Sequence, residues 1–413
     1  MQAILGITIL IGFCWLLSEQ KKQVRLPLVA VGLLTQFLLA ILFLQVEWAS
    51  QALLALNSGV YAIEQATLHG TIFLFGFLGG GDTPYEITQN QATYLFAFRV
   101  LPQVVVFSVV VALLWYLKVL QLFVRGFGWL LKKFLSVNGV VGTAGAASLF
   151  LGMVETPLVI RAYLAKLSRA DLFTVMTFGM STVAGSVMVL YAGILNNVMD
   201  GVIGHIIAAS AINIFGAIYI SHLMIPATDH DDTPLDKLES QLKYDSLMDA
   251  ITRGTTDGLQ LALNVGGMLL VLISLVALLN GLIGFIDVWQ WGLSLQTMLG
   301  WAFAPVAWLI GIDWADAQLA GSFLGTKLVL NELVAYLAFA DHLEQLSAHS
   351  KLVLIYALCG FANFGSLGIL LGGLSALIPE RRAEYLKLAP RSIISGTVVT
   401  LVTGAIVSLV AQI

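Results

Sequence analysis

Two glutamates lie in mostly apolar stretches of this sequence, and each is a candidate for binding a ligand, an ion or a proton. Glu155 is the acidic residue of the stretch Phe150–Pro157, and Glu332 is that of the stretch Phe323–Tyr336. A charged side chain at the centre of a bilayer costs about 2.5–3.5 kcal/mol on insertion scales, so such residues usually have a function. The alternative is that each glutamate is neutral or caps free N–H groups at the end of a half-helix.

The composition indicates that lipid surrounds most of the chain. Of 413 residues, 59% are hydrophobic and 11% are charged, and the mean hydropathy is +0.92, whereas a soluble domain carries about 25% charged residues. The formal net charge of -4 argues against a nucleic-acid partner. Two cysteines and no zinc-like spacing leave no basis for a disulfide framework or a metal cofactor. The sequence also has no nucleophile–base set and no ring of charged pore residues, which argues against an enzyme or a channel.

Eight uncharged apolar stretches are candidates for membrane helices, which need about 20 residues to cross the hydrocarbon core. They are Ala3–Leu17, Leu26–Val46, Val100–Leu117, Leu172–Leu195, Val202–Ile225, Leu259–Ile286, Leu352–Ile378 and Ser392–Ile413. Two further stretches, Val137–Ile160 and Met298–Phe339, are interrupted by polar and helix-breaking residues, and we expect them to enter the membrane and turn back. With both termini outside, all lysines and arginines except Arg99, Lys327 and Lys351 then lie on the cytoplasmic side, as the positive-inside rule requires.

We therefore predict an all-α polytopic membrane protein with eight transmembrane helices, two re-entrant hairpins and interfacial helices, located in the inner (plasma) membrane. The predicted segments are N-terminal scaffold helices (1–48), interfacial helices with a loop (49–98), a first repeat half with hairpin 1 (99–225), an acidic cytoplasmic linker (226–257) and a second repeat half with hairpin 2 (258–413).

The two halves form an inverted repeat, because they have the same order of parts and begin in opposite directions across the membrane. Ser186 follows Glu155 by 31 positions, and Asn363 follows Glu332 by the same number. Inverted repeats are typical of secondary transporters, whose substrate sites lie near the middle of the membrane where the repeats meet. The sequence thus predicts one site that both glutamates share.

Five stretches carry a resemblance to a known family. They are Phe96–Pro102, Gly152–Arg161, Gly258–Gly266, Asn331–Tyr336 and Cys359–Ser366. Over essentially its full length, the chain resembles the concentrative nucleoside transporters. The resemblance implies cation-coupled import of nucleosides by an elevator-type alternating-access motion, with each subunit of a homotrimer moving its substrate-carrying domain against a fixed scaffold. It also implies the eight helices, two hairpins and interfacial helices described above.

The resemblance implies nine substrate-binding residues. The ribose residues are Glu332, Asn363 and Ser366, the walls are Phe361, Leu261 and Val187, and the residues facing the nucleobase are Met153, Val154 and Glu155. A carboxylate suits ribose because it only accepts hydrogen bonds, whereas the vicinal hydroxyls donate them. Many relatives read Gly-Gln-Thr-Glu where this chain has Gly152 to Glu155. We therefore expect a more apolar base pocket and a selectivity different from that of a pyrimidine-typical member.

The coupling cation is a second departure from the family pattern. Sodium-coupled relatives use an Asn side chain, a Ser hydroxyl and carbonyls at positions that match Ser148, Leu151, Thr182 and Val183. The Asn oxygen is absent here, which leaves a hard cation with poorer coordination. This pattern favours proton coupling with Glu155 as the carrier, since apolar surroundings favour a neutral carboxyl. Sodium remains the alternative, because hydroxyls and carbonyls also suit it.

A second functional alternative is a symporter of the same architecture for another small polar solute, such as a modified nucleoside, a nucleobase or an amino acid. The carboxylate of an amino acid would be repelled by two glutamates and would need basic partners. The predicted site has no such partners, which favours the nucleoside.

Overall fold

The computed structural model describes residues 1–86, 95–135, 137–195, 201–227, 242–286 and 293–412, and within these ranges all regular structure is helical. The first-half helices are α1 (Gln2–Leu16), α2 (Leu26–Gln45), α3 (Glu47–Phe75), α4 (Phe96–Arg99), α5 (Leu101–Tyr116), α6 (Val119–Leu135), α7 (Gly139–Ala147), α8 (Glu155–Val159), α9 (Arg161–Leu164), α10 (Arg169–Ser181), α11 (Gly185–Leu195) and α12 (Val202–Met224). The others are α13 (Leu247–Ile286), α14 (Leu295–Leu309), α15 (Trp314–Val329), α16 (Glu332–Asp341), α17 (Ala348–Leu358), α18 (Phe364–Leu377) and α19 (Arg382–Val410). The all-α class is confirmed.

By length and composition, five helical segments in the described ranges can cross a membrane, or six if one bent pair counts as a span. They are Leu26–Gln45, Phe96–Tyr116, Val202–Met224, Leu247–Phe285 and Pro379–Val410. This number is smaller than the eight predicted. The difference arises because α1 has 15 residues and because two predicted spans are interrupted.

The predicted spans 172–195 and 352–378 are each broken into two helices. A first break (residues 182–184) separates α10 from α11, and a second break (residues 359–363) separates α17 from α18. The two breaks touch, since a Cβ placed on Gly360 would lie 2.9 Å from the carbonyl oxygen of Ser181. Both sequence stretches are uncharged throughout, so hydropathy alone predicts one continuous helix in each.

The second interrupted stretch, 298–339, was expected to be a single hairpin and instead contains three helices. The axis bends by 117° between α14 and α15, and residues 330–331 then separate α15 from α16. We define hairpin 2 as α15 with α16, and hairpin 1 as α7 to α9. The additional helix α14 precedes hairpin 2 as the helix α6 precedes hairpin 1.

Close glycine contacts join each hairpin to the helix before it. A Cβ on Gly142 of α7 would lie 2.9 Å from the carbonyl oxygen of Gly128 in α6. In the second half, a Cβ on Gly321 of α15 would lie 2.7 Å from the carbonyl oxygen of Gly300 in α14. Small residues let helix backbones approach closely within a membrane. The helix pairs α6–α7 and α14–α15 are therefore both closely packed at glycines.

The linker and the interfacial region are described in part. Residues 228–241 of the predicted linker and residues 87–94 of the predicted interfacial loop lie outside the described ranges. Helix α3 is continuous over 29 residues. Helix α13 begins at Leu247, so the predicted linker boundary at 257 lies inside a helix that continues into the apolar segment.

Charged contacts gather residues that the positive-inside rule assigns to one side. Glu19, in the loop after α1, accepts hydrogen bonds from Arg169 at 2.8 Å and from Arg391. The hydrogen bond from Arg169 holds the pKa of Glu19 below its ordinary value. At the start of α1, Gln2 donates to the carbonyl oxygen of Ile312.

Candidate substrate site

A cavity of about 230 Å³ lies where the two hairpins and the two breaks meet. Its lining includes all nine residues predicted to bind substrate, namely Met153, Val154, Glu155, Val187, Leu261, Glu332, Phe361, Asn363 and Ser366. Ser186, which has the same spacing from Glu155 as Asn363 has from Glu332, lines it as well. The structure thus brings both glutamates to one chamber. Their assignment as substrate-binding residues stays a prediction.

Glu332 is the first residue of α16 and is almost fully buried, with 5% of its surface exposed. One carboxylate oxygen, Oε1, accepts a hydrogen bond from the Tyr191 hydroxyl at 2.7 Å. The other, Oε2, accepts from the Asn363 side-chain amide at 2.7 Å. These two donors fix the plane of the carboxylate, and each oxygen retains a lone pair for a further donor.

Asparagines at two helix starts explain how the polar groups are oriented. Asn331 caps α16 by accepting a hydrogen bond from the backbone N–H of Val334 at 2.8 Å. Asn363 caps α18 by accepting from the backbone N–H of Ser366 at 2.7 Å. Asparagine is among the preferred residues at such positions. Because the Asn363 oxygen is used in the cap, its NH₂ group points towards Glu332.

Glu155 combines a structural contact with access to the cavity. Its Oε2 accepts a hydrogen bond from the backbone N–H of Gly152 at 2.5 Å, so it does cap one free amide of the hairpin loop. Its side chain is nevertheless exposed, and it lines the cavity. The neighbouring Val154 packs against Gly373 of α18, because a Cβ on that glycine would lie 3.1 Å from Val154. The tip of hairpin 1 therefore packs against α18.

The four residues predicted to bind a cation are Ser148, Leu151, Thr182 and Val183. All four are buried, at the junction of hairpin 1 and the first break. The backbone N–H of Gly185 donates to the carbonyl oxygen of Phe150 at 3.0 Å and joins the two segments. The hydroxyl of Ser148 donates to the carbonyl oxygen of Gly145 in α7, and the hydroxyl of Thr182 donates to that of Phe178 in α10. Among the described residues, no group of three or more His, Cys, Asp or Glu side chains is arranged to hold a metal ion.

Comparison with known proteins decides the family. Family models described as the N-terminus and the C-terminus of the Na+ dependent nucleoside transporter match residues 5–78 and 205–408, and a nucleoside recognition model matches residues 97–198. An uncharacterized transporter of Bacillus subtilis, YutK, is 37% identical over 98% of this chain and 97% of its own length. The putative nucleoside permease NupX of Escherichia coli is 33% identical, and the nucleoside permease NupC of Helicobacter pylori is 32% identical; each match covers 98% of this chain and 97% of the relative.

This chain belongs to the concentrative nucleoside transporter family. Its members are transporters rather than enzymes, so this chain is a multi-pass membrane protein of a transporter family. Solved structures agree with this assignment. CNTnw in an inward-facing substrate-bound state is 34% identical, with a TM-score of 0.91 over 100% of this chain and 97% of that chain. A variant of CNTnw in an outward-facing state has a TM-score of 0.90 over the same shares.

Two residues that support the lining of this cavity were not found by sequence reasoning. Tyr191 lies one helical turn after Val187 and packs against Tyr336, with ring centroids 4.8 Å apart and ring planes tilted by 40°. Its spacing of four from a predicted site residue was the signal that could have identified it. The other is Asn213, a fully buried amide in the middle of the apolar helix α12. A polar residue at such a position is itself a signal.

Asn213 joins the two breaks. Its NH₂ group donates to the carbonyl oxygens of Ser181 at 2.8 Å and Cys359 at 2.9 Å. These carbonyls lie where α10 and α17 end, and the last carbonyls of a helix lack partners within it. The side-chain oxygen of Asn213 accepts from the Thr403 hydroxyl at 2.6 Å. One amide thus holds corresponding points of the two halves together.

Asn213→Leu is expected to lower the free energy of unfolding by about 2–6 kcal/mol, because two buried carbonyls lose their donor at about 1–3 kcal/mol each. Thermal unfolding of the purified protein in detergent would measure this loss as a lower melting temperature. Thr403→Val removes the contact to the side-chain oxygen and a contact from Gln36, which keeps the carbonyl oxygen of Ile212 as an acceptor. It leaves both carbonyl contacts of Asn213, so its loss should be smaller. Equal melting temperatures for Asn213→Leu and the unchanged protein would contradict the bridging role.

Proposed function

We propose that this transporter imports nucleosides together with a coupling cation, by alternating access of an elevator type. The observation that carries the proposal is the shared chamber, in which Glu155 and Glu332 from the two halves line one cavity. In this proposal Glu332 accepts hydrogen bonds from the vicinal ribose hydroxyls, beside Asn363 and Ser366. Two donors already hold Glu332 in place, so little side-chain entropy is lost when the sugar binds.

The proposed topology has eight membrane passages, two re-entrant hairpins and an inverted repeat, with both termini outside an inner (plasma) membrane. The order α5–α12 parallels the order α13–α19, including a helix before each hairpin and a break after it, and this supports the repeat. The contacts of Glu19 with Arg169 and Arg391 support a common cytoplasmic side for three segments. Assembly as a homotrimer is part of the proposal through the family.

Proton coupling through Glu155 is the favoured mechanism. Glu155 faces the cavity and lies beside the predicted cation residues, so a proton on it would be linked directly to substrate occupancy. Ser148 and Thr182 direct their hydroxyl hydrogens to helix carbonyls, so their oxygens keep lone pairs that can coordinate a cation, which suits sodium. The description of the family as Na+ dependent favours sodium as the second candidate, held at the same four residues.

Uptake by purified transporter in liposomes tests the function and separates the two cations. We expect labelled uridine or adenosine to accumulate when the exterior is made acidic in choline medium without sodium. Accumulation that requires a sodium gradient at constant pH would replace the proton with sodium and leave nucleoside import intact. Failure to accumulate or exchange any nucleoside under either gradient, with amino acid uptake instead, would overturn the proposal.

Substitutions at the residues that face the nucleobase should change which nucleosides the transporter prefers. The double variant Met153→Gln and Val154→Thr restores an amide and a hydroxyl at the hairpin tip, and each new hydrogen bond is worth about 0.5–1.5 kcal/mol. We therefore expect relative preferences among uridine, cytidine, adenosine and inosine to change by about tenfold. Competition against labelled nucleoside uptake would measure the change, with Val329→Thr at an exposed position in the last turn of α15 as the control. An unchanged competition profile would refute a base-facing role for these positions.

A further inference from the structure

Lys327, in hairpin 2, is a buried cation that the proposed transport mechanism does not use. Within the described residues, Lys327 and Glu332 are the charged side chains that are almost fully buried, with 3% and 5% of their surfaces exposed. A lysine in the interior of a membrane protein is costly and is expected to have defined partners. Lys327 does not line the substrate cavity. Any effect that it has on the substrate must therefore pass through other groups.

The partners of Lys327 lie on two other helices. Its ammonium donates to the carbonyl oxygen of Ala357 at 2.8 Å and to the hydroxyl of Thr400 at 2.8 Å. Ala357 is in the last turn of α17, where carbonyls lack partners within the helix and the helix dipole favours a cation. Lys327 thus ties hairpin 2 to the helix end just before the second break, and also to α19.

Lys327 is also electrostatically linked to Glu332. The two residues belong to the two arms of hairpin 2, α15 and α16, and they lie five positions apart on either side of the break at residues 330–331. Opposite charges interact strongly where water is excluded. A cation at this position favours the carboxylate form of Glu332, which is the form that accepts hydrogen bonds from hydroxyl groups.

The repeat gives this position a counterpart in the first half. The shift of 177 positions that carries Glu155 to Glu332 also carries the predicted cation residues 148–151 to 325–328 and 182–183 to 359–360. Lys327 lies inside the first of these windows, and its acceptor Ala357 lies two residues before the second. An ammonium attached to the chain therefore occupies the region equivalent to the candidate sodium site of the first half.

We propose that Lys327 is a positioning residue that serves as the fixed cation of the second half, holding hairpin 2 against the second break and keeping Glu332 as a carboxylate for the ribose. In the first half the equivalent region is the candidate sodium site at Ser148, Leu151, Thr182 and Val183, which carries no fixed charge. The second half carries its cation permanently, so the ribose half of the site is preorganised without an added ion. This inference rests on the proposed function, since it assumes that Glu332 binds the sugar.

The test measures how strongly the transporter distinguishes adenosine from 2′,3′-dideoxyadenosine, which lacks both vicinal hydroxyls. Calorimetry on the purified full chain should give an adenosine preference of about 100-fold, because two charge-assisted hydrogen bonds are lost with the analogue. In Lys327→Met and in Lys327→Gln, which retains hydrogen-bond donors without the charge, this preference should fall below about tenfold. Lys327→Arg should retain most of it.

Lys387→Met removes an exposed lysine of α19 and should leave both affinities unchanged. A role limited to packing predicts that the two Lys327 variants lose affinity equally for both ligands, and that result would overturn the inference. An adenosine preference that stays at about 100-fold in Lys327→Gln would also overturn the inference. If the unchanged transporter binds adenosine no better than the dideoxy analogue, the proposed ribose site fails instead, so the two failures are distinguishable.

Discussion

Replacing Glu332 with glutamine is expected to lower nucleoside affinity by about 100-fold or more, since hydrogen bonds to charged groups contribute about 1.5–3 kcal/mol each. The carboxylate has two acceptor oxygens, and Tyr191 and Asn363 each donate to one of them. Glutamine keeps one acceptor and replaces the other with an NH₂ group, which would then face a donor. The variant therefore loses the ribose contacts and the internal contacts that orient the side chain.

Calorimetry with adenosine and uridine would measure the affinity of Glu332→Gln, and liposome uptake would measure its transport. Glu344→Gln, an exposed glutamate twelve positions further along the chain, is the matched control and should bind both nucleosides normally. Tyr191→Phe removes only one of the two orienting donors and should weaken binding less than Glu332→Gln does. Nucleoside affinity within about twofold of the unchanged transporter in Glu332→Gln, less than about 0.5 kcal/mol, would remove Glu332 from the substrate site.

The location of this cavity was predictable because charge is costly in a membrane. Glu155 and Glu332 are rare acidic residues in apolar stretches, and the equal spacing of 31 positions to Ser186 and Asn363 indicated that they belong to equivalent parts of a repeat. All four residues line one cavity. The residues around them came from the family resemblance, since neither hydropathy nor spacing distinguishes Val187 or Leu261 from other apolar residues.

The helix breaks were less predictable because hydropathy measures composition and not backbone direction. Residues 172–195 read as one apolar helix, yet the chain breaks at 182–184, where Asn213 supplies a hydrogen-bond donor from another helix. The hydrogen-bond donor that stabilises the break, Asn213, is therefore remote in sequence. Hydropathy also failed to separate helix α14 from hairpin 2, because both are apolar. The chain bends by 117° between α14 and α15, and the two helices pack closely at Gly300 and Gly321.

Replacing Glu155 with glutamine is expected to abolish accumulation driven by a pH gradient while leaving exchange of nucleoside across the membrane. Glutamine can still accept the hydrogen bond from the Gly152 N–H, so the tip of hairpin 1 should keep its shape. It cannot take up or release a proton, so the variant resembles a permanently protonated site. Such a site can carry substrate in both directions but cannot use the proton gradient.

Two liposome assays would separate these outcomes for Glu155→Gln. Accumulation into liposomes with an acidic exterior should fall to the level of protein-free liposomes, while liposomes preloaded with unlabelled uridine should still take up labelled uridine by exchange. Glu380→Gln, on an exposed segment before α19, should retain both activities. Loss of exchange together with accumulation would indicate that Glu155 serves substrate binding alone. If Glu155→Gln still accumulates nucleoside under a sodium gradient, the coupling cation is sodium, because transport then needs no group that titrates. The cation would be assigned to Ser148, Leu151, Thr182 and Val183.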